Sequence, residues 1–313
     1  MDYVLVRTKL QALIVLELIR RGVVETPFRL VCTHQHRIGE DSESVYALYN
    51  QIEAQADRRY DIVQGEGLGR GVARLLPMLW HAWATGGRLF VATINYYPLA
   101  VALRLTPGLK LHTFDDGAAN IWPHASDYFR DRPLEGETAR RRIARLLFPR
   151  GGPAFMRGRI ARHYTIYPGY ENIAPAERVE TIDLDWAGQM SAEDAARLPA
   201  NVKAILLGAP FQDLKDPAAL DRAREALAKS DLYLPHPRDA SGLTSDKDPK
   251  IMASAEAVID RCLRQGPLTV YHFASSTILP FKGREGLTLV SLRPAVHEPE
   301  PSLWRTAERP ARA

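Results

Sequence analysis

The sequence predicts an α/β protein with two Rossmann-like domains that face a ligand-binding cleft. Three observations support this class: strand-like and helix-like segments alternate, the pattern runs twice, and a segment rich in Pro and Gly separates the two runs. That break lies at 148–153, so we expect one domain over residues 1–152 and a second over residues 153–313. The length of 313 residues fits two domains of about 150 residues each.

Short apolar segments predict the strands, and amphipathic segments between them predict the helices. The predicted strands, in chain order, are 2–7, 28–33, 88–94, 109–114, 202–207, 231–234, 268–273 and 287–292. Helices are predicted from Thr8 onward and over 40–57, 70–84, 137–148, 215–229 and 251–264, with a short one at 302–308 in a Pro-rich tail. Strands that alternate with helices form a mostly parallel sheet, which binds ligands beyond the carboxyl ends of its strands.

Composition excludes several classes of protein. With 46% hydrophobic and 25% charged residues, the chain is not disordered throughout. The net charge of +4 and the pI of about 9.0 are the only features that favour nucleic acid, and no motif supports that function. Cys32 and Cys262 predict buried thiols in a reducing compartment. The apolar run from Leu10 to Ile19 is too short to span a bilayer and lacks the signal-peptide pattern, so we expect a cytoplasmic chain.

A pair of carboxylates ends the predicted strand 109–114. Asp115 and Asp116 are followed by Gly117, which permits a sharp turn. Two adjacent like charges oppose each other's ionisation, and this suits a general base that works near neutral pH. An ordinary Asp-Gly turn with a helix cap explains the same residues without a catalytic role.

Two further clusters follow strands in the second half. His236 lies between Pro235 and Pro237, with Arg238 beside it, where a stiff loop would aim the imidazole at a departing phosphate; a surface turn is the alternative. Residues 275–277 carry three hydroxyls and open a predicted helix, which suits phosphate binding or a plain N-cap.

A weaker cluster at 207–213 begins with Gly208, where backbone can approach a ligand or simply turn. No Walker A motif and no GxGxxG segment after the first strand are present. His34 and His36 form a His-x-His pair, but no acid or cysteine accompanies it at the spacing of a metal site. We therefore predict no metal.

The order of these motifs resembles glycosyltransferase family 52, the bacterial lipooligosaccharide sialyltransferases. The resemblance covers most of residues 4–295, and the segments in order are specific as a set. They are 8–13 (TKLQAL), 110–120 (KLHTFDDGAAN), 163–173 (HYTIYPGYENI), 205–210 (ILLGAP), 233–238 (YLPHPR), 270–279 (VYHFASSTIL) and 292–295 (LRPA). Lys9 stands where the family's first motif has proline.

The resemblance implies a GT-B fold and an inverting, metal-independent transfer from CMP-sialic acid to a terminal sugar, with galactose favoured, of a lipooligosaccharide or other surface glycan. His236 is implied as the general acid or hydrogen-bond donor to the departing phosphate. The donor side is implied to include Gly208, Ala209, Pro210, His236, Pro237, Arg238, Ser275, Ser276 and Thr277. The acceptor side is implied to include Thr8, Gln11, Asp115 and Gly117.

The general base has two candidates. Related bacterial sialyltransferases place it on the Asp-Asp-Gly turn, which favours Asp116, and family 52 places it just after the strand 202–207, where Asp213 is the nearest acid because Phe211 occupies the family's position. A different nucleotide sugar, such as an α-glucosyl donor, and a non-catalytic nucleotide- or glycan-binding role remain open alternatives.

Eight arginines between Arg140 and Arg162 form the main basic segment. One interpretation is a patch that contacts anionic lipid at the inner membrane, and the other is a solvated helix face with interdomain ion pairs. The resemblance also leaves a homodimer open. The segment consists of arginines 140, 141, 142, 145, 150, 157, 159 and 162.

Overall fold

The computed structural model describes residues 1–34, 43–63, 68–123, 126–131, 139–214, 216–236 and 238–293. The chain divides into two compact units. The first unit contains Met1–Ile166 and Tyr170–Leu184, and the second contains Tyr167–Gly169 and the residues from Asp185 onward. Every helix in the described part of the chain is too short or too polar to cross a bilayer.

The described residues of the first unit form a seven-stranded sheet in the order β3-β2-β1-β4-β5-β6-β7, with parallel pairing throughout. Its core consists of apolar side chains from the strands and from α3 and α4. The elements are β1 (Tyr3–Val6), α1 (Lys9–Arg20), β2 (Phe28–His34), α2 (Glu43–Glu53), β3 (Ala56–Val63), α3 (Leu68–Ala84), β4 (Arg88–Val91), α4 (Tyr97–Arg104), β5 (Lys110–Phe114), α5 (Ala139–Leu147), α6 (Gly152–Arg159), β6 (Ile160–Thr165) and β7 (Val179–Thr181).

Helix α1 illustrates how local sequence sets these boundaries. The hydroxyl of Thr8 caps the helix by accepting a hydrogen bond from the backbone N–H of Gln11 at 3.3 Å. Gly22 follows the helix with φ of 70°, a left-handed conformation that Gly adopts without steric conflict. The helix buries Ile14 and Leu18 and packs against β1 and α2. Its N-terminus therefore stays fixed beside the carboxyl end of β1.

The described residues of the second unit form a four-stranded parallel sheet in the order β11-β10-β8-β9. Phe211 and Phe273 pack edge to face in its core, with 5.3 Å between ring centroids. The elements are α7 (Ala192–Arg197), β8 (Ala204–Leu207), α8 (Ala219–Lys229), β9 (Leu232–Leu234), α9 (Ala255–Leu263), β10 (Leu268–His272) and β11 (Leu287–Ser291), with a 3₁₀ helix at Ser276–Phe281.

The predicted class of two Rossmann-like domains is confirmed, and the largest differences from the predicted boundaries are the division between the domains and the end of one helix. A division at residue 152 falls inside the first unit, because β6 pairs with β5 and β7 pairs with β6. The helix predicted over 40–57 ends at Glu53, since residues from Ala56 pair with β2 as strand β3. The helix predicted at 302–308 lies outside the described residues.

Candidate active site

The strand order of the first unit reverses between β1 and β4, with β2 and β3 on one side and β5 on the other. Open parallel sheets bind ligands beyond the carboxyl ends of their strands at such a reversal. Arg7 and Thr8 follow β1, Thr93 follows β4, and Asp116 follows β5. The fold therefore gathers these four residues at one edge of the sheet.

The carboxylate of Asp116 is the centre of this edge, with 12% of its side chain exposed. Oδ1 accepts a hydrogen bond from Nε2 of Gln11 at 2.6 Å. Oδ2 accepts from the hydroxyl of Tyr128 and from Oγ1 of Thr93 at 3.2 Å, and it lies 3.4 Å from Nη2 of Arg7. The predicted base is thus held by four side chains from three separate segments of the chain.

Asp115 has a different role from its neighbour. Its side chain has no exposed surface, and its carboxylate accepts from His163, from the hydroxyl of Thr165 and from the backbone N–H of Ile166. The groups bound to Asp115 and those bound to Asp116 are entirely different, so the two adjacent carboxylates lie in separate environments. Because Asp115 is buried, we assign it to the fold in place of the predicted acceptor contact.

Tyr128 was missed by sequence reasoning. It is buried, and it belongs to a short 3₁₀ helix that Ser126 caps by accepting a hydrogen bond from the N–H of Tyr128. Burial and the neighbouring Asp116 carboxylate raise the pKa of the Tyr128 phenol well above its usual range, so it remains a hydrogen-bond donor at neutral pH. Its backbone carbonyl accepts a hydrogen bond from Arg157.

Two predicted acceptor residues, Thr8 and Gly117, serve the local backbone. Thr8 caps α1, and Gly117 makes the turn after β5 with φ of 67°. Gln11, the third, donates to Asp116 and also accepts from the N–H of Arg7 at 2.8 Å. Gln11 and Asp116, which are predicted to belong to the acceptor side and to the catalytic group, are therefore in direct contact.

A cavity of about 570 Å³ lies at the carboxyl edge of the second sheet. It is formed by the segments that follow β8, β9 and β10 and by the N-terminus of α9. This is again the edge at which the strand order reverses, here between β8 and β10. The lining residues are Leu207, Gly208, Leu234, Pro235, His236, Asp248, Ile251, Met252, Ala253, Ser254, Ala255, Glu256, Ser275, Ser276 and Thr277.

His236 lines this cavity and is half-buried. Its Nδ1 lies 3.1 Å from the backbone N–H of Arg238 and accepts that hydrogen bond. A neutral imidazole in this arrangement carries its proton on Nε2. The ring is therefore fixed by its own loop and has a donor nitrogen to offer. Pro237 lies outside the described residues.

Gly208 packs against the backbone of the loop that carries His236. A Cβ at this position would lie 2.7 Å from the backbone N of His236 and 3.1 Å from the carbonyl O of Leu234. The N–H of Gly208 donates to that same carbonyl at 2.8 Å. The glycine therefore lets the loop pack closely on the end of β8, which is a more specific reason for glycine than ligand approach alone.

The hydroxyl cluster lies where the sequence predicts it. Ser275, Ser276 and Thr277 line the cavity, and Oγ of Ser275 accepts from the N–H of Thr277 at 3.4 Å. Ala274 precedes them with φ of 59°, a strained conformation for alanine that turns the chain sharply after β10. The helix that follows is 3₁₀ in form and six residues long.

Four other predicted site residues, the candidate base Asp213 and three donor-side residues, are not among the residues that line the cavity. Asp213, the second candidate base, is exposed at the end of a 3₁₀ turn, and Ala209 is buried in the core. Pro210 precedes that turn as its cap residue. Arg238 is exposed, and its carbonyl accepts from Nε2 of Gln212 at 2.6 Å, which ties the two loops together.

The N-terminus of α9 contributes residues that sequence reasoning missed. Ser254 caps the helix by accepting from the N–H of Ala257, and Glu256 follows in the first turn. Both line the cavity. An acidic residue in the first turn of a helix is stabilised by the helix dipole, so Glu256 places a negative charge at this end of the cavity.

Four of the eight arginines in the basic segment form contacts within the first unit. Arg159 donates to the carbonyls of Leu103, Thr106, Pro107 and Leu109. Arg157 and Arg150 both pair with Asp131, and Arg162 lies 3.7 Å from Glu180. These contacts favour the structural interpretation for half of the eight arginines. The side chains of Arg140 and Arg141 lie outside the description.

Among the described residues, no group of three or more His, Cys, Asp or Glu side chains has the arrangement of a metal site. His34, one half of the His-x-His pair, is buried and lies 2.9 Å from Asp61 through Nε2. His36 falls between the described ranges.

The family model of Glycosyltransferase family 52 matches residues 39–296. An N-acetyllactosaminide α-2,3-sialyltransferase of Neisseria meningitidis serogroup A is 27% identical over 282 residues, which cover 82% of this chain and 71% of that protein. A CMP-N-acetylneuraminate:β-galactoside α-2,3-sialyltransferase of Pasteurella multocida is 29% identical over 66% of this chain and 64% of its own length.

An N-acetyllactosaminide α-2,3-sialyltransferase of Haemophilus influenzae is 27% identical over 49% of this chain and 46% of its own length. The matched region therefore spans less than two thirds of the Pasteurella and Haemophilus proteins. Among solved structures, UGT2 of Phytolacca americana covers 93% of this chain and 80% of its own, with a TM-score of 0.49 and 10% identity.

Proposed function

This chain belongs to glycosyltransferase family 52, and from that premise we propose that it transfers sialic acid from CMP-sialic acid to a terminal galactose of a surface glycan. The observation that carries the proposal is the cavity of the second unit, where His236 and three hydroxyls meet at the carboxyl edge of a parallel sheet. The names of the three relatives, all α-2,3-sialyltransferases, support the same activity.

The charges of the cavity favour one orientation of a nucleotide donor. A phosphate is repelled by Glu256 and is stabilised by the His236 imidazole and by the hydroxyls of residues 275–277. The carboxylate of Glu256 can instead accept hydrogen bonds from the hydroxyls of a ribose. We therefore place the phosphate beside His236 and the nucleoside beside the N-terminus of α9.

The proposed reaction is a single displacement at the anomeric carbon of sialic acid. Asp116 accepts the proton of the acceptor hydroxyl while the new C–O bond forms, and the bond from the anomeric carbon to the phosphate oxygen breaks. His236 donates a hydrogen bond from Nε2 to the departing phosphate of CMP and so stabilises its negative charge. One displacement inverts the configuration of the anomeric carbon.

We propose that the reaction is independent of metal ions, because His236 and the hydroxyl cluster supply the stabilisation of negative charge that the phosphate needs. Turnover is then expected to be unchanged after treatment with EDTA. A loss of turnover that Mg²⁺ or Mn²⁺ restores would contradict this part of the proposal.

The activity is tested by incubating the protein with CMP-sialic acid and a β-galactoside, with mass spectrometry of the product. The His236→Ala variant should turn over at least about 100-fold more slowly, because general acid–base steps typically contribute this much. His81→Ala in the first unit is the matched control and should remain near wild type. Near-normal turnover of His236→Ala would overturn the assignment.

A panel of nucleotides separates this proposal from its two alternatives. A ligand at 100 times its Kd stabilises the folded state by about 2.7 kcal/mol, which a thermal shift detects easily. We expect CMP to stabilise the protein and UMP and GMP to do so much less. A preference for uridine would favour another sugar donor, and stabilisation by CMP without transfer would favour a non-catalytic binding protein.

Peripheral contact with anionic membrane remains a proposal for the arginines of α5, whose neighbour Leu146 is 82% exposed. Co-sedimentation with anionic vesicles, lost in high salt, is the expected result. Equal recovery with neutral and anionic vesicles would exclude it.

A homodimer is likewise proposed from the family resemblance alone, and light scattering measures the mass of the particle in solution.

A further inference from the structure

The carboxylate of Asp116 is held unequally at its two oxygens. Oδ2 receives the Tyr128 hydroxyl and the Thr93 hydroxyl, with the Arg7 guanidinium at 3.4 Å. Oδ1 receives Gln11 alone among the described residues. Each carboxylate oxygen offers about two acceptor positions. Oδ2 is therefore filled, whereas Oδ1 keeps one position open.

Tyr128 is the most firmly fixed donor to Oδ2. The ring is buried with 4% exposure, the N–H bonds Oγ of Ser126 at 3.1 Å, and the carbonyl accepts from Arg157. Thr93 and Arg7 are less enclosed, and the Arg7 side chain is 21% exposed. Among the described titratable side chains, Arg7 and Tyr128 are those that contact this carboxylate.

We propose that Tyr128 is a positioning residue that holds Oδ2 of Asp116 and leaves Oδ1 as the atom that takes the proton of the acceptor hydroxyl. The role of Asp116 as base rests on the proposed function, and the coupling between the two side chains does not. In the reaction the acceptor O–H bond breaks and the Oδ1–H bond forms, while Tyr128 keeps its own proton. The raised pKa of the phenol supports a donor that stays protonated.

The Tyr128→Phe variant removes one hydrogen bond to a charged group and little volume. We expect kcat to fall by about 10-fold or more, because a carboxylate that is no longer held at Oδ2 presents Oδ1 to the acceptor hydroxyl less often, with a smaller change in KM. The acid limb of the pH–rate profile should move to higher pH, because the carboxylate has lost a donor that stabilises its ionised form. Tyr164→Phe, a buried tyrosine away from the site, is the matched control and should leave the profile unchanged.

A substitution that strengthens the hydrogen bond from residue 128 to Asp116, where Tyr128→Phe removes it, separates positioning from a merely structural effect. Site-specific 3-fluorotyrosine at position 128 keeps the shape of the ring and makes the phenol a stronger donor. The acid limb is expected to move to lower pH in this protein. The fluorinated protein also tests the proposal if Tyr128→Phe fails to fold. Equal profiles for the fluorinated and unmodified proteins would overturn the proposal.

The coupling is also measurable without turnover. In protein labelled with ¹³C-aspartate, the Asp116 carboxyl signal is identified by its loss in Asp116→Asn, and its titration midpoint is followed by NMR. We expect the midpoint to rise in Tyr128→Phe, and an unmoved midpoint would overturn the proposal. If the midpoint moves but wild-type protein transfers no sialic acid, the proposed function fails while the coupling stands.

Discussion

The side chains of His163 and Asp115 form a buried pair, with 3.1 Å between Nε2 and Oδ1 and no exposed surface on either. Nδ1 of the same ring lies 2.8 Å from the hydroxyl of Thr113. The second carboxylate oxygen accepts from Thr165 at 2.8 Å and from the N–H of Ile166 at 2.6 Å. Asp115 therefore fastens β6 to the end of β5, directly before the turn that carries the proposed base.

Asp115→Asn should destabilise the first unit by about 1–3 kcal/mol. The amide of Asn presents N–H groups to donors on at least one side, so a buried donor loses its acceptor. Urea unfolding followed by circular dichroism measures the loss.

Asp116→Asn is the matched comparison, because it removes a charge at the adjacent position. It should lower turnover by about 10²–10⁴-fold with a smaller effect on stability than Asp115→Asn. Equal stability of wild type and Asp115→Asn would contradict the structural role of Asp115.

Gly208→Ala should displace the His236 loop without unfolding the protein. The new Cβ would meet backbone atoms, at 2.7 Å from the N of His236, and backbone cannot yield as a flexible side chain can. We expect KM for the donor to rise about 10-fold or more, which corresponds to about 1.4 kcal/mol. Initial-rate kinetics at varied donor concentration measure this.

Gly158→Ala is the control for that substitution. Gly158 lies in α6, has no atom within 4 Å of its Cβ position, and does not require left-handed backbone. It should leave KM unchanged and stability equal or slightly higher. A Gly208→Ala protein with wild-type KM would show that the loop is not held by this close packing.

The sequence predicts most strands of both sheets because their segments are continuous apolar runs, as expected for parallel strands buried on both faces. It does not predict β3, β6 and β7. The sequences of β3 and β6, ADRRYDIV and IARHYT, mix charges with apolar residues, and β7 has only the three residues VET. These strands are defined by their pairing with β2, β5 and β6 respectively, and such pairing is not visible in local sequence. The misplaced domain boundary has the same cause.

The candidate site is predictable only where the chemistry lies next to a turn signal. Asp116, His236 and Ser275 each follow a predicted strand and are marked by Gly, Pro or a hydroxyl cluster. Arg7 has no such turn signal beside it. It contacts Asp116 because β1 and β5 end at the same edge of the sheet. Tyr128 is a single aromatic in an irregular segment, and its hydrogen bond to Asp116 depends on tertiary packing.

His112 makes stability depend on pH. Burial, assisted by the Arg88 cation, lowers the pKa of His112 to about 4, whereas an unfolded histidine titrates near 6.5. Between these values the unfolded chain binds the proton and the folded protein does not, so stability falls as pH decreases from about 6.5 to 4. The loss is at most about 3 kcal/mol.

The measurement is urea unfolding of wild type and His112→Gln at several pH values across this window. The variant lacks the titrating ring, so its stability should depend less steeply on pH. Parallel pH profiles for the two proteins would show that His112 does not cause the dependence.

Each unit contains one buried thiol, Cys32 in β2 and Cys262 in α9, with 0% and 1% exposure. Burial raises the pKa of the Cys262 thiol to about 11, and only the thiolate reacts readily. At pH 8 the native protein should therefore resist an aromatic disulfide reagent, and both thiols should react once urea unfolds the chain.

In the Cys32→Ser and Cys262→Ser variants the remaining thiol reports the opening of its own unit. Two different urea midpoints for the reaction of these thiols would show that the units unfold separately. Rapid reaction of either thiol in the native protein would contradict the packing described for that unit, because access of the reagent requires that the core around it open.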